Sequence, residues 1–320
     1  MTATHARLIV LGSGPAGYTA AIYAARAMLE PILIAGIQPG GQLTITTDVE
    51  NYPGYAESVQ GPWLMDEMQR QAVRFGTRFV NDHVAEVDLD HRPFRLKGES
   101  GQEWTCDALV VATGAQAKWL GIRGEEHLKG HGVSACATCD GFFFRGKEVA
   151  VVGGGNTAVE EALFLTNFAT KVTVIHRRDA FRAERILQDR LFANPKVEVR
   201  WNAIVDDILG SGTPPSVSAI RLRDTATGTL SEIPVDGVFV AIGHAPATEL
   251  FVGKLDLTPA GYIKVRPGTS QTAIPGVFAA GDVTDDVYRQ AVTAAGMGCM
   301  AALDAERFLA ADESSRLAAE

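Results

Sequence analysis

Cysteine is scarce in this chain, with four residues among 320. That number is too small for a fold held together by disulfides. Two of the four, Cys106 and Cys299, stand alone in apolar surroundings, where cysteine usually behaves as a small buried hydrophobic residue. The sequence therefore predicts at most one working disulfide.

An excess of basic charge is also missing. The chain carries 29 lysines and arginines against 38 acidic residues, which gives a formal net charge of −9. General nucleic-acid binding depends on basic side chains that displace counterions from the phosphates. We therefore expect no nucleic-acid partner.

Long apolar runs are absent as well. No run approaches the ~18 apolar residues that a membrane-spanning helix requires. Residues 1–7 do not form the basic segment that precedes the apolar stretch of a signal peptide. We expect a cytoplasmic protein without a membrane partner.

What the chain does contain begins with a glycine-rich turn near its start. An apolar strand at residues 8–11 leads into GSGPAG at 12–17, an alanine-rich helix at 18–29 and a second strand at 31–35. In such a βαβ unit the glycines allow a tight turn and close approach of the backbone to a pyrophosphate. The N-terminus of the helix then offers free N–H groups to phosphate. The candidate ligands here are Gly12, Ser13, Gly14, Pro15 and Ala16.

The same pattern occurs a second time. A strand at 147–152 precedes GGGNTA at 153–158, which leads into a predicted helix at 159–168 and a strand at 171–175. Two copies in strand–turn–helix context indicate two dinucleotide sites far more strongly than one copy does. The candidate ligands are Gly153, Gly155, Asn156 and Thr157.

The end of the second strand of each unit indicates which nucleotide binds there. In the second copy that position reads His176, Arg177 and Arg178, with Arg182 shortly after. Arginines match a 2′-phosphate through charge-assisted bonds, so this unit is predicted to bind NADPH. The alternative is a solvated basic turn.

The first copy lacks the acidic residue that usually binds the adenine ribose, because the equivalent position reads Ala35, Gly36 and Ile37. A second glycine pair follows and offers another cradle, for which a simple surface turn is the alternative. The candidate residues of this cradle are Gly40, Gly41, Gln42 and Leu43.

A further flavin signature lies near the C-terminus. Residues 272–282 form a short β run that ends in Gly281 and Asp282, and a helix rich in small residues is predicted to begin at 288–291. Asp282 is well placed to bond a ribityl hydroxyl of FAD, and the helix N-terminus to face the flavin ring. The alternative for Asp282 is a helix N-cap.

Two buried-strand runs, at 109–114 and 238–243, frame the second dinucleotide unit. We expect the chain to cross between domains just after each of them. The predicted fold class is α/β, with two Rossmann-like dinucleotide-binding domains of the three-layer ββα type. The FAD domain comprises residues 1–115 and 245–320, and the NADPH domain, residues 116–244, is inserted into it.

The segment CATCD at residues 136–140 is the most informative motif. Cys-x-x-Cys spacing lets two sulfurs come within bonding distance and lowers the pKa of one thiol. A zinc site is the alternative, but no second pair of suitable ligands accompanies this one, so no metal is predicted. Asp140 is a candidate general acid, or else an ordinary exposed aspartate. A dithiol with two dinucleotide sites suggests an electron relay from nicotinamide to flavin to disulfide.

These motifs closely resemble the low-molecular-weight thioredoxin reductases of bacteria, over residues 12 to about 309. The resemblance implies a homodimer with tightly bound FAD, NADPH as donor and thioredoxin as substrate. It implies that Cys139 faces the flavin and that Cys136 attacks thioredoxin. It also implies a set of residues that line the flavin, namely Gln42, Leu43, Asn51, Val84, Ala112, Thr113, Gly114, Asp282, Arg289, Gln290 and Ala291.

One position departs from that family. His131 stands where an arginine often precedes the dithiol in a loop that docks thioredoxin. The aromatic run Phe142–Phe144 is expected either to be buried or to offer part of an apolar surface for thioredoxin.

The placement of the dithiol predicts motion. In larger disulfide reductases the dithiol follows the first helix and second strand of the flavin domain, whereas residues 40–44 here contain no cysteine. With NADPH and dithiol sites in one domain and flavin in the other, the inserted domain is expected to rotate between half-reactions. A glutaredoxin-like or peroxiredoxin-linked carrier is an alternative partner, and a non-catalytic redox sensor is an alternative function.

Overall fold

The computed structural model describes residues 3–45 and 48–319. The first part of the chain contains β1 (Thr4–Leu11), α1 (Pro15–Arg26), β2 (Ile32–Ile34), β3 (Asp48–Val49), β4 (Val59–Gln60), α2 (Gly61–Arg74), β5 (Arg78–Val80), β6 (Val84–Asp88), β7 (Phe94–Gly98), β8 (Glu103–Val111) and β9 (Ala115–Ala117). Short 3-10 helices span Gly41–Ile45, Gly141–Phe144 and Glu249–Phe251.

The middle of the chain contains α3 (Arg123–Leu128), β10 (Val133–Ser134), α4 (Ala137–Asp140), β11 (Glu148–Gly153), α5 (Asn156–Leu165), β12 (Lys171–Ile175), α6 (Arg185–Ala193), β13 (Val197–Arg200), β14 (Ala203–Ser211), β15 (Ser216–Asp224), β16 (Leu230–Pro234) and β17 (Gly237–Ala241). The last part contains β18 (His244–Pro246), β19 (Val277–Ala279) and α7 (Ala291–Ala319).

The chain divides into two compact units. One comprises residues 1–116 and 245–320, and the other comprises residues 117–244. The second unit is thus inserted between two segments of the first. β9 and β18, where the chain leaves and re-enters the first unit, form a two-stranded ladder.

The first unit is built on a seven-stranded sheet in the order β5-β2-β1-β8-β7-β6, with β19 also paired to β8. The strands β5, β2, β1, β8 and β19 pair in parallel, and β6 and β7 add an antiparallel hairpin. One apolar core lies on the side of α1, α2 and α7, and a second lies on the side that includes the hairpin. The helices therefore cover one face of the sheet, and the second core lies on the other face.

The inserted unit repeats this plan. Its central sheet has five parallel strands in the order β10-β17-β11-β12-β13. The core on one face includes residues of α5 and α6, and the core on the other includes residues of the three-stranded antiparallel sheet β14-β15-β16. The predicted α/β class with two Rossmann-like folds is confirmed.

The helix boundaries differ from the sequence prediction in a consistent way. α1 begins at Pro15 rather than Tyr18, and α5 begins at Asn156 rather than Val159. Each helix starts directly at the glycine-rich turn because the turn itself supplies the N-cap, Gly14 in one case and Gly155 in the other. The last helix, α7, continues to Ala319.

Among residues 3–45 and 48–319, no helix combines the length and the apolar character that crossing a membrane would require.

Candidate active site

The dithiol lies at the start of a short helix in the inserted unit. β10 ends at Ser134, and Cys136 is the N-cap of α4, so that Cys139 falls in the first turn. The two cysteines form a disulfide with a Cα–Cα distance of 5.3 Å. The backbone N–H of Cys139 also donates to the sulfur of Cys136, at 3.2 Å. Cys139 is exposed and Cys136 is half-buried, so the pair is open to reaction partners.

Ser134 organises this site and was not identified from the sequence. Its hydroxyl accepts a hydrogen bond from the backbone N–H of Cys136, at 3.0 Å. The Ser134 side chain also hydrogen-bonds Asp140 and by itself would lower the pKa of that carboxyl group. The larger effect on this pKa is burial. Burial raises the pKa of Asp140, because a charged carboxylate is poorly solvated there. A polar residue at the end of a buried strand just before the cysteines was the available signal.

The aromatic run after the dithiol divides between core and surface. It lies in the 3-10 helix Gly141–Phe144, and Phe144 packs edge-to-face against Phe239 in the core. Phe142 is 48% exposed, and the Arg145 guanidinium lies 5.0 Å from the centre of its ring. One aromatic side chain and one cation therefore share the surface near the disulfide.

The glycine-rich turn of the inserted unit has the geometry of a phosphate cradle. A Cβ on Gly153 would overlap the carbonyl oxygen of Ala241, so the turn there requires glycine. A Cβ on Gly155 would meet no atom within 4 Å, because that position faces open space. Gly155 caps α5 without a side-chain hydrogen bond, which leaves the first N–H groups of the helix available to an anion. Asn156 and Thr157 lie in this first turn.

The loop that bears the arginines is fastened to this turn. The backbone N–H of Arg182 donates to the carbonyl oxygen of Gly154 at 2.8 Å, and the backbone N–H of Glu184 donates to Oδ1 of Asn156 at 2.8 Å. Nδ1 of His176 lies 3.0 Å from the carbonyl oxygen of Gly153, and Nε2 lies 3.0 Å from the carbonyl oxygen of Ala180. His176 therefore holds the loop rather than projecting into solvent.

The three arginines themselves are exposed. Within the part of the chain that the structure describes, Arg177, Arg178 and Arg182 form no salt bridge. Burial lowers the pKa of His176, and the charges of Arg178 and Arg177 lower it further. The three guanidinium groups are thus exposed and form no salt bridge within the described residues, next to the glycine-rich turn.

The first unit contains the other glycine-rich turn. Gly12 has a φ of +109°, and a Cβ there would overlap the carbonyl oxygen of Ala112. Gly14, by contrast, would have no atom within 4 Å of its Cβ, and it caps α1 without a side-chain hydrogen bond. Pro15 and Ala16 open the helix, so the turn again presents free N–H groups to open space.

The second glycine pair lies beside that turn. An added Cβ on Gly41 would lie 3.3 Å from the Cα atom of Gly14. The Ser13 hydroxyl joins the two segments, because it donates to the carbonyl oxygen of Ala35 at 2.8 Å and accepts from the backbone N–H of Gly40 at 3.0 Å. The predicted cradle at 40–43 and the glycine-rich turn are therefore parts of one surface. Gln42 and Leu43 follow in the 3-10 helix.

Asp282 emerges just after β19 with one oxygen unused. Its Oδ1 atom is buried and has no hydrogen-bond partner within residues 3–45 and 48–319. Burial and the negative charge of Asp285 raise the pKa of Asp282 to about 7, and the positive charge of Arg289 opposes them. A buried acceptor without a partner fits a ligand hydroxyl group. Gly281 precedes it with a φ of +80°, and an added Cβ there would lie 2.8 Å from that of Ala16.

The remaining predicted flavin residues fall around these segments. The side chain of Asn51 donates to Oε1 of Gln290 at 3.4 Å, across 239 positions of sequence. Ala291 is the first residue of α7, and Arg289 precedes it with a φ of +50°. Ala112, Thr113 and Gly114 follow β8, and the hydroxyl of Thr113 donates to the carbonyl oxygen of Ala247.

Val84 differs from the others because its side chain is fully buried in the core that includes the hairpin. Only its backbone can therefore face a ligand.

Comparison with known proteins shows which family has this arrangement of motifs. Residues 6–298 match the sequence model of the family described as pyridine nucleotide-disulphide oxidoreductase. A thioredoxin reductase of Rickettsia conorii is 59% identical over 303 residues, which cover 95% of this chain and 98% of the relative. The chain belongs to the thioredoxin reductase family. A second member, from Escherichia coli O157:H7, is 56% identical over 316 residues, with 96% of this chain and 97% of the relative covered.

The fold of this chain also matches solved structures of thioredoxin reductases. The enzyme from Giardia duodenalis matches with a TM-score of 0.91 and 41% identity, over 96% of this chain and 99% of that one. The resemblance to thioredoxin reductases is confirmed. The chain is a disulfide oxidoreductase and a flavoprotein that uses a pyridine nucleotide, and the Cys136–Cys139 pair is its redox-active disulfide.

Proposed function

We propose that this protein reduces the disulfide of thioredoxin, with electrons that pass from NADPH through FAD to the Cys136–Cys139 pair. The observation that carries the proposal is the open disulfide beside Asp140, in the same unit as the arginine-bearing loop 176–184. A donor site and an acceptor disulfide in one unit are the two ends of an electron relay. The names of the relatives support thioredoxin as the partner.

FAD is the flavin that the first unit fits best. The open face of Gly14 and the adjacent Gly41 suit a pyrophosphate, and the unused oxygen of Asp282 suits a ribityl hydroxyl. When bound, FAD supplies the chemistry that links a two-electron hydride donor to a disulfide. The residues proposed to hold it are Gly12, Ser13, Gly14, Pro15, Ala16, Gly40, Gly41, Gln42, Leu43, Asn51, Val84, Ala112, Thr113, Gly114, Gly281, Asp282, Arg289, Gln290 and Ala291.

NADPH is the donor that the inserted unit fits best. The exposed guanidinium groups of Arg177, Arg178 and Arg182 favour a 2′-phosphate over a free hydroxyl, because each can form a charge-assisted hydrogen bond. Gly153, Gly155, Asn156 and Thr157 are proposed to hold the pyrophosphate at the start of α5. His176 is proposed to hold the arginine loop in position.

The cysteines carry out the disulfide exchange. Two electrons break the Cys136–Cys139 bond, and the two sulfurs become thiol or thiolate. Burial keeps Asp140 protonated to higher pH than an ordinary aspartate, so it can give a proton to a leaving sulfur. The Cys136 thiolate then attacks the thioredoxin disulfide. Cys139 displaces the thioredoxin sulfur from Cys136, which releases a dithiol and restores the original disulfide.

Phe142 and Arg145 are proposed as part of the surface that meets thioredoxin. They are exposed next to the short helix that carries the cysteines, and aromatic and arginine side chains contribute strongly to protein interfaces. His131 is also exposed, where the family often has arginine. Its imidazole lacks the fork of five N–H donors that a guanidinium offers, so it is expected to weaken docking relative to an arginine.

The remaining elements of the proposal concern the assembly. The dithiol and the arginine loop belong to the inserted unit and the flavin residues to the first unit, which supports rotation of one unit between the two half-reactions. Exposed apolar side chains on α1 and α7, including Tyr23, Met300 and Leu303, support a homodimer. We place the protein in the cytoplasm, where thioredoxin is kept reduced.

NADPH oxidation with purified oxidised thioredoxin tests the proposal. Rapid turnover with thioredoxin and slow turnover with glutaredoxin or a peroxiredoxin would support it. Turnover only with glutaredoxin or a peroxiredoxin would show that this carrier, and not thioredoxin, is the partner. No turnover with any disulfide would favour a redox sensor. The Cys136→Ser variant, which keeps the flavin and NADPH sites, is the matched control.

A further inference from the structure

A second buried carboxylate lies three residues after Asp282 and has a different role. Asp285 is 6% exposed. Its Oδ1 atom accepts hydrogen bonds from the backbone N–H groups of Val287 and Tyr288, at 2.9 and 2.8 Å. Its Oδ2 atom accepts from the backbone N–H of Arg289, at 3.0 Å. One side chain thus satisfies three backbone donors in succession.

These bonds determine the path of the chain into α7. Val287 and Tyr288 are both 66% exposed, so burial of their side chains does not hold this part of the loop in place. Arg289 is held at a φ of +50°, a conformation that side-chain-bearing residues adopt at a cost. The Asp285 carboxylate offsets that cost, because bonds to an ionised acceptor are about twice as strong as neutral ones.

Gln290, the residue after Arg289, links this loop to the start of α7 through its hydrogen bonds. The side-chain amide of Gln290 donates to the carbonyl oxygens of Tyr288 and Arg289, each at 3.1 Å. The backbone carbonyl oxygen of Gln290 accepts hydrogen bonds from the Thr293 hydroxyl and from the backbone N–H of Ala294, each at 2.9 Å. Residues 289–291, which are proposed to line the flavin, are therefore fixed by a loop that Asp285 folds.

Asp285 also acts on Asp282 through its charge. The charged and titratable groups around Asp282 are Asp285 and Arg289 from the same loop and Tyr262 from the segment packed against it, where the backbone N–H of Ile263 donates to the carbonyl oxygen of Val283. Tyr262 hydrogen-bonds Arg289, and burial raises its pKa. Asp285 is the negative neighbour that discourages ionisation of Asp282, and Arg289 is the positive neighbour that favours it.

We propose that Asp285 is the positioning residue of the flavin site: its carboxylate accepts from the backbone N–H groups of residues 287–289 and holds the chain in place before α7, which is its loop function. Its negative charge in the same loop also acts on Asp282, which is its charge function. This inference rests on the proposed FAD site. Asp286 provides a matched control, because it is an exposed acid in the same loop that bears the same charge without the three backbone bonds. Asp285→Asn and Asp286→Asn each remove one negative charge, but only the first removes the buried acceptor.

The loop function is tested by hydrogen exchange on the protein without ligand. The amides of Val287, Tyr288 and Arg289 are expected to be protected in the original protein and in Asp286→Asn. In Asp285→Asn they are expected to exchange at least about tenfold faster, because an amide side chain offers only one oxygen and turns an N–H donor toward the chain. Equal protection in both variants would overturn the loop function.

The charge function is tested by the affinity for FAD, measured by flavin fluorescence on the apoprotein from acid to alkaline pH. Affinity is expected to rise about fivefold to tenfold with pH as Asp282 ionises, because a carboxylate accepts a hydrogen bond more strongly than the acid does. Asp285→Asn should move this rise to lower pH by roughly one unit, and Asp286→Asn should leave it in place. Asp282→Asn should abolish the rise.

The outcomes separate the inference from the function on which it rests. An original protein that binds no FAD at any pH would overturn the flavin assignment. One that binds FAD with a rise that Asp285→Asn does not move would overturn the charge function of Asp285 and leave the flavin assignment standing. If Asp285→Asn does not fold, Arg289→Gln tests the same network, since loss of the opposing positive charge should move the rise to higher pH. An unmoved rise in that variant would overturn the charge function.

Discussion

At the scale of single residues, the two cysteines of the disulfide carry the clearest prediction. Cys136→Ser and Cys139→Ser are each expected to abolish thioredoxin reduction, because the exchange needs both sulfurs. Reduction of the flavin by NADPH should continue in both variants and can be followed by the loss of flavin absorbance. Cys106→Ser and Cys299→Ser should keep full activity. An inactive but folded Cys299→Ser variant would show that the disulfide has been assigned wrongly.

Asp140 carries a prediction about pH. Burial raises its pKa, so it holds a proton at pH values where an ordinary aspartate has lost it. The rate of thioredoxin reduction should therefore fall as the pH rises through the pKa of Asp140. Asp140→Asn should lower the rate about 10²- to 10⁴-fold and remove this limb of the pH profile. The exposed Asp189 on α6 offers a control, and a profile unchanged in Asp140→Asn would exclude Asp140 as the acid.

At the scale of elements, the first glycine-rich turn separates folding from binding. Gly12→Ala should destabilise the protein, because the new Cβ would overlap the Ala112 carbonyl oxygen and φ is +109°. Gly14→Ala should leave the melting temperature of the apoprotein nearly unchanged, because nothing lies within 4 Å of its Cβ. It should nevertheless lose most of its FAD affinity, since the methyl group enters the space proposed for the pyrophosphate. Normal FAD binding by a folded Gly14→Ala variant would contradict the placement.

The arginine loop of the inserted unit carries the prediction on donor preference. Arg177→Ala combined with Arg178→Ala should raise the KM for NADPH by about tenfold or more for each arginine, because a hydrogen bond to a charged group contributes roughly 1.5–3 kcal/mol. The KM for NADH should stay nearly constant. Steady-state kinetics with NADPH and with NADH measures both KM values. An equal rise in the two KM values would show that the arginines only support the fold.

At the scale of the whole molecule, the division of the chain into two units makes rotation testable. A crosslink that holds the flavin against the disulfide should block flavin reduction by NADPH. Binding of NADP⁺ should be unaffected, because the arginine loop and its phosphate cradle lie within one unit. Reducing the crosslink should restore turnover. Normal turnover in the locked state would support a fixed arrangement, as in larger disulfide reductases.

The sequence alone determined the two βαβ units, the disulfide spacing and the basic loop, because each is encoded within about 30 consecutive residues. Turn glycines, helix N-termini and Cys-x-x-Cys geometry are local features whose constraints the chain expresses wherever it folds. The edges of the inserted unit were predicted at residues 116 and 244, because buried strand runs precede both positions. The helix starts were displaced by three residues because a glycine turn that acts as its own N-cap has no side-chain signal.

Only the tertiary structure decided which of these local pieces meet. Gly41 reaches Gly14, Asn51 reaches Gln290, and the His176 ring packs against the backbone at Gly154, through contacts between residues 22 or more positions apart. Such contacts arise from the packing of whole layers, which no short segment encodes. The different roles of Asp282 and Asp285 were hidden for the same reason. Both carboxylates are buried, and the packing around each one decides whether it is left without a partner or is surrounded by backbone donors. That packing is a property of the folded chain.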